Sequence, residues 1–236
     1  MEPLLGTLYA VNDADKIIDA DVNAITFRDK RPHILLQQTD LAPNGGVSCF
    51  YTAAFRCAAD AWPLDASERP LAIQAWKNGW AALLSDSKVV SGQGGRMADG
   101  VDYARRAWNA AFPNKQVVSY RGRCPRFDQD DATHIAFYRA MNFGWMVTVG
   151  LYASKDILAD ILDDGIVQTY ERAGSGEYGH LVCLCQDDKK RWEDRLVVLD
   201  NYPKTFVRNQ YSLEDFEKKV ERGLMFPSYY LFLPKS

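Results

Sequence analysis

The spacing of apolar residues divides the chain into a helix-rich first half and a strand-rich second half. In the first half, apolar residues recur every three or four positions, which is the spacing of a buried helix face. This pattern predicts one helix that starts beside Cys49 and ends at Ala61, and two more over about 70–84 and 98–111. Pro63 ends the first of these, since proline cannot continue a helix.

The apolar positions also predict which side of each helix is buried. The first helix has mostly small residues on its apolar stripe, which suits a central helix packed closely against its neighbours. The predicted stripes are Phe50, Ala53, Ala54, Cys57, Ala58 and Ala61 on the first helix; Ile73, Trp76, Trp80 and Leu84 on the second; and Val101, Ala104, Ala107 and Trp108 on the third. The glycine-rich segment 91–95 is predicted to be a flexible loop.

The second half contains short runs rich in β-branched and aromatic residues, which are typical of strands. Predicted strands cover 116–120, 145–152, 165–170, 180–185, 195–199 and 229–233, and further helices cover 131–141, 155–162 and 212–222. Residues 1–40 are predicted to be extended segments and turns. Helices followed by strands indicate an α+β protein. No linker or repeat interrupts the chain, so we expect a single folding unit.

Composition excludes several classes of function. The net charge of −3 over 236 residues gives no basic surface for nucleic acid. We expect no membrane span, because no apolar run reaches the necessary length. The N-terminus lacks the basic start and long apolar segment of a secretory signal, which predicts a cytoplasmic location. The five cysteines include no Cys-x-x-Cys pair, so we expect reduced thiols, no metal and no cofactor.

The segment 44–62 carries the strongest candidate chemistry. Its Gly-rich turn leads into Ser48 and Cys49, and Cys49 lies in the first turn of the predicted helix. Free backbone N–H groups and the positive end of the helix dipole favour an anion there, and a thiolate is such an anion. The sequence therefore makes Cys49 a candidate nucleophile. Cys57, Cys183 and Cys185 are expected to be core residues instead.

A histidine and an aspartate on later strands could complete a catalytic site with Cys49. His180 opens one predicted strand, and Asp200 and Asn201 end the next. Acyl transfer by a thiol needs a nucleophile, an imidazole that shares and delivers the proton, and a side chain that orients the imidazole. Gln37 or Gln38 could donate an amide N–H to the developing oxyanion, with the Cys49 backbone N–H as second donor.

These residues and their order resemble the papain-like cysteine peptidase superfamily over nearly the whole chain. His180 follows Cys49 by 131 residues and Asp200 follows it by 151, close to the interval of about 130–150 in papain-like enzymes. The helix-then-strand segment 140–149 is also similar to the family. The resemblance implies a two-lobed single domain over 1–236. Its helical lobe would cover about 44–112 and its antiparallel β-barrel-like lobe about 113–236, with 1–43 packed across.

The sequence departs from the family at three points. The family places Gln six residues before the cysteine, whereas here the gap is eleven from Gln38 or twelve from Gln37. The segment Gly46–Phe50 lacks the family's disulfide-forming cysteine, which fits a reducing compartment. Asp200 aligns with the family's orienting residue, although Asn201 is adjacent.

The resemblance implies a cysteine peptidase. Cys49 would attack a peptide or isopeptide bond of a peptide or protein substrate held in the cleft between the lobes, with His180, Asp200 and Gln38 assisting. Two alternatives stay open. One is a cell-wall amidase or transglutaminase-like acyl transferase, and the other is a catalytically silent papain-fold protein that binds a partner or is structural.

Overall fold

The protein has an α+β fold in which three helices pack against an antiparallel sheet. A computed structural model describes residues 8–11, 17–20, 34, 36–90, 94–123, 137, 140–141, 144–153, 170–171, 178–186, 196–199, 208–211, 224–225 and 228–235. The predicted helices over 155–162 and 212–222 lie outside these residues. None of the helices described in these ranges is long and apolar enough to cross a membrane.

The three predicted helices of the first half are confirmed. They are α1 (Cys49–Asp60), α2 (Arg69–Ser85) and α3 (Met97–Ala111). Pro70 lies in the first turn of α2, where its missing N–H leaves no helical hydrogen bond unmade. Of the glycine-rich segment predicted to be flexible, Gly94 is paired with Val90 through two backbone hydrogen bonds of 2.8 and 3.2 Å.

Large aromatic side chains fill the space between the helices. The ring of Tyr51 on α1 stacks on Trp80 of α2 at 6.1 Å between centroids, and Phe55 meets the edge of Trp108 on α3 at the same distance. Gly79 allows this close packing, because a Cβ there would lie 2.8 Å from the Cβ of Ala107. Trp76, Trp80 and Trp108 are core residues, as expected.

Two predicted stripes differ from the buried surfaces. On α1 every residue from Phe50 to Asp60 is buried, including Arg56 and Asp60, because α1 lies between the other helices and the sheet. On α2, Trp76 and Trp80 are buried as predicted, but the two ends of the buried face are shifted by one residue. It includes Ala72 and Leu83, whereas Ile73 is 40% exposed.

The strands of the second half join strands near the N-terminus in one sheet. The order of its main path is β2-β1-β3-β10-β4-β6-β7-β8, with β5 paired to β6 and β9 paired to β4. All described pairings are antiparallel, and the path is open among the described strands, where a barrel-like lobe was predicted. The strands are β1 (Leu8–Val11), β2 (Ile17–Ala20), β3 (Val117–Arg123), β4 (Val147–Ala153), β5 (Tyr170–Glu171), β6 (Tyr178–Gln186), β7 (Leu196–Leu199), β8 (Arg208–Tyr211), β9 (Leu224–Met225) and β10 (Ser228–Pro234).

Helix α1 crosses the middle of this sheet and contacts β4, β6 and β10. Cys183 on β6 marks the contact, since its thiol lies 3.3 Å from the Ala53 carbonyl oxygen and 3.9 Å from the Cys57 sulfur. Cys57, Cys183 and Cys185 are all buried, so their assignment to the core is confirmed. The N-terminus of α1 consequently lies beside β6.

Candidate active site

The segment before α1 is held by hydrogen bonds from buried side chains. Gln38 is fully buried, and its amide nitrogen donates to the Gly46 carbonyl at 2.7 Å. The indole of Trp80 on α2 donates to the Pro43 carbonyl at 2.8 Å. Two short 3-10 turns, Gln38–Asp40 and Gly45–Val47, complete the path to Cys49. The turn that presents Cys49 is thus fixed both internally and to the core.

The first turn of α1 keeps its N–H groups uncapped by a side chain. Ser48 stands at the N-cap, but its hydroxyl is 3.1 Å from the Thr52 hydroxyl and makes no capping bond. A serine in this position normally satisfies one of the free N–H groups. Because the Ser48 hydroxyl does not do so, the positive end of the helix dipole can attract a negatively charged group beside Cys49.

Cys49 lines a pocket with a volume of about 600 Å³. It is the one half-exposed cysteine among those in the described ranges, whereas Cys57, Cys183 and Cys185 are buried. The pocket is lined by Val47, Cys49, Phe50, Ser87, Lys88, Val90, Gly94, Gly95, Arg96, Met97, Asp99, Gly179 and Leu181. The predicted nucleophile therefore opens onto a space large enough for a ligand.

His180 lies on β6 between two residues that line this pocket, Gly179 and Leu181. Strand side chains alternate between faces, and β6 pairs with β4 without interruption from Tyr178 to Leu184. Gly179 and Leu181 therefore share the face of Cys183, which contacts α1, while His180 leaves the strand on the other face. The structure brings this part of β6 to the Cys49 pocket, and the pairing of imidazole with thiol stays a prediction.

The remaining predicted site residues lie in two places along the chain, after β7 and before α1. Asp200 and Asn201 lie outside the described residues, immediately after β7, which is paired with β6. Of the two candidate glutamines, Gln38 lies beside the turn that leads to Cys49 and already donates to Gly46. Gln37 is half-buried and precedes the first 3-10 turn. The oxyanion role of either amide stays a prediction.

The sequence did not predict that charged residues line the Cys49 pocket. Asp99, in the first turn of α3, accepts hydrogen bonds of 2.7 and 2.9 Å from the Arg96 guanidinium, and the Lys88 ammonium lies 3.9 Å away. The spacing of Arg96 and Asp99, three apart at a helix start, is a signal that could have indicated their pairing. Nothing in the sequence indicates that they face Cys49.

Burial makes the Cys57 thiol unsuited to nucleophilic attack. Burial raises the pKa of Cys57 well above its usual value, and the hydrogen bond with Cys183 raises it further. A thiol held neutral in this way is a poor nucleophile. Within the described ranges, no cluster of three His, Cys, Asp or Glu residues could hold a metal ion.

Comparison with known proteins places the chain in no established family. No protein-family model matches the sequence, and neither the curated proteins nor the solved structures include a significant match to it.

Proposed function

We propose that the protein is a thiol-dependent hydrolase of the papain-like type, most simply a cysteine peptidase acting on peptide or isopeptide bonds. One observation carries the proposal. Cys49 is the first residue of α1 and opens half-exposed into a pocket at an uncapped helix start, while three other cysteines are buried in the core. Such a helix start stabilises both a thiolate and a developing oxyanion.

The proposed reaction has two steps. The Cys49 thiolate attacks the substrate carbonyl carbon, and the imidazolium of His180 gives its proton to the leaving amine. Water then attacks the thioester with neutral His180 as base, which releases the carboxylic acid and restores the thiolate and the imidazolium. Asp200 would orient the imidazole. The Cys49 backbone N–H would donate to the oxyanion, with the Gln38 amide as the second donor.

Hydrolysis of a mixed library of internally quenched peptides tests this function. We expect cleavage by the wild-type chain and its loss by at least about 10³-fold in Cys49→Ala. His180→Gln should lose about 10²–10⁴-fold, the usual contribution of a general acid–base. Circular dichroism checks that both variants fold. Cleavage that survives unchanged in folded Cys49→Ala would overturn the proposal.

A second candidate is a catalytically silent protein of the same type that binds its partner at this pocket. The observation that favours it is the Gln38 amide, which donates to Gly46 and so is used in holding the turn. The alternation of side chains on β6 also favours this candidate, because it places His180 on the face opposite Leu181, which lines the pocket. Absence of cleavage across the library, together with ligand binding that survives in Cys49→Ala, would favour this candidate.

A further inference from the structure

The pocket beside Cys49 combines an apolar lining with a charged rim. Its apolar lining comes from the start of α1, from α3 and from β6, through Val47, Phe50, Met97 and Leu181. Val90 lines the same pocket, and 54% of its surface is exposed. A small apolar group would gain by leaving water here.

The glycines of the rim bring backbone directly onto this lining. A Cβ on Gly95 would lie 2.6 Å from the ring of Phe50 and 2.7 Å from the Lys88 carbonyl oxygen. Only glycine therefore lets the chain pass this close to Phe50. The segment that carries Arg96 is in this way held against the pocket.

Two cations share one carboxylate at this rim. Asp99 bonds Arg96 through both oxygens, and Lys88 is 3.9 Å from the same carboxylate. The Lys88 and Arg96 side chains are 40% and 77% exposed, so both can meet a ligand from solvent. The backbone of Lys88 is fixed at the end of α2, where its N–H donates to the Leu83 carbonyl at 3.0 Å. The three groups carry a net charge of +1 next to the apolar lining.

We infer that the Cys49 pocket selects acyl substrates in which an apolar side chain enters the pocket and a neighbouring carboxylate meets Lys88. The inference rests on the proposed role of Cys49 as nucleophile and adds the chemistry of the substrate. The charge of Asp99 is balanced by that of Arg96, which it binds through both oxygens. Lys88 therefore supplies the net positive charge of the rim. An acidic group is therefore attracted and a basic group repelled.

Alkylation by matched chloroacetyl dipeptide amides tests the selectivity. Chloroacetyl-Leu-Glu, -Leu-Gln and -Leu-Lys amides carry the same reactive group, and mass spectrometry follows the rate at Cys49. We expect the Glu probe to react about twofold to fivefold faster than the Lys probe, the range of exposed ion pairs. This ratio should shrink between 0.1 and 1 M salt, as the screening length falls from about 10 to 3 Å.

Two lysine variants make the test specific. Lys88→Gln should bring the Glu-to-Lys rate ratio close to one, whereas Lys77→Gln, at an exposed position on α2, should leave it at the wild-type value. A probe with Gly in place of Leu should react at least about fivefold more slowly, since it leaves the apolar lining empty. A wild-type ratio near one, equal effects of the two lysine variants, or equal rates for Leu and Gly would overturn the inference. Alkylation of Cys49 does not require hydrolysis. The peptide library therefore tests the hydrolase proposal independently of this selectivity.

Discussion

Among the described cysteines, the surroundings of each thiol separate one reactive candidate from three core residues. The sequence predicted this division, because Cys49 follows a Gly-rich turn and the others lie on apolar stripes or strands. It could not predict the state of Ser48, whose hydroxyl is paired with Thr52 and not with the helix start. Whether the Ser48 hydroxyl bonds to Thr52 or caps the helix depends on packing beneath the turn, which residue type alone does not specify.

Gly95→Ala should destabilise the fold. Its added Cβ would lie 2.6 Å from the buried ring of Phe50 and 2.7 Å from the Lys88 carbonyl oxygen, so the ring or the backbone would have to shift. Overpacking of this kind typically costs about 1–3 kcal/mol. Urea denaturation of variant and wild type measures the loss. An unchanged free energy of unfolding would show that the rim does not pack on Phe50.

Cys57 should resist alkylation in the folded protein at pH 8. Burial keeps its pKa well above the usual value, so the thiol is neutral as well as inaccessible. Iodoacetamide labelling followed by peptide mapping should find Cys57 modified only as urea unfolds the chain. Labelling of Cys57 at the same rate with and without urea would contradict its place between α1 and β6.

At the scale of elements, periodicity predicted the helices α1, α2 and α3 and the strands β3, β4, β6, β7 and β10. It did not predict β8 and β9, nor the whole buried face of α2. Several apolar residues lie one position apart on α2, such as Leu83 and Leu84, and periodicity does not decide which of them faces inward. Trp80 packs against Phe50 and Tyr51 of α1, and in this orientation Leu83 is buried while Leu84 is only partly buried. A single apolar stripe also could not predict that α1 is buried on all sides.

The hydroxyl of Tyr51 links α1 to α2 by donating to the Trp76 carbonyl at 2.7 Å. Tyr51→Phe should therefore lower the free energy of unfolding by about 0.5–1.5 kcal/mol, the usual net value of such a bond. Tyr120→Phe is a matched control, because it removes the same hydroxyl from a tyrosine that is only partly buried. Chemical denaturation compares the two. Equal losses would argue against the link.

At the scale of the whole molecule, the sequence predicted the α+β class but not the order of the strands. β10, at the end of the chain, lies between β3 and β4, and β1 reaches the sheet through β3. Such pairings join residues between 82 and 117 positions apart, and no local pattern encodes them. The proximity of β6 to the start of α1 was expected only through the resemblance.

An ion pair also connects distant parts of the chain, since Lys115 lies 2.6 Å from Glu68. The hydrogen bond from Lys115 lowers the pKa of Glu68 below its ordinary value. The folded state therefore binds fewer protons at this carboxylate, and the stabilisation present near neutral pH is lost as the pH falls through the lowered pKa. The difference in melting temperature between wild type and Glu68→Gln should shrink from pH 6 to pH 3. A constant difference would contradict the pairing.

The central claim is that the fold turns Cys49 into a nucleophile, and its alkylation rate tests this most directly. The rate constant for alkylation of Cys49 by iodoacetamide at pH 6 is measured in the folded chain and in a free peptide of residues 44–54, in which Cys49 is the only cysteine. We predict at least a roughly tenfold faster reaction in the folded chain, because a helix N-terminus favours a negatively charged group beside it. If the proposed pairing with His180 holds, this advantage should be smaller in His180→Gln. A folded chain that reacts at the rate of the peptide or more slowly would contradict the central claim.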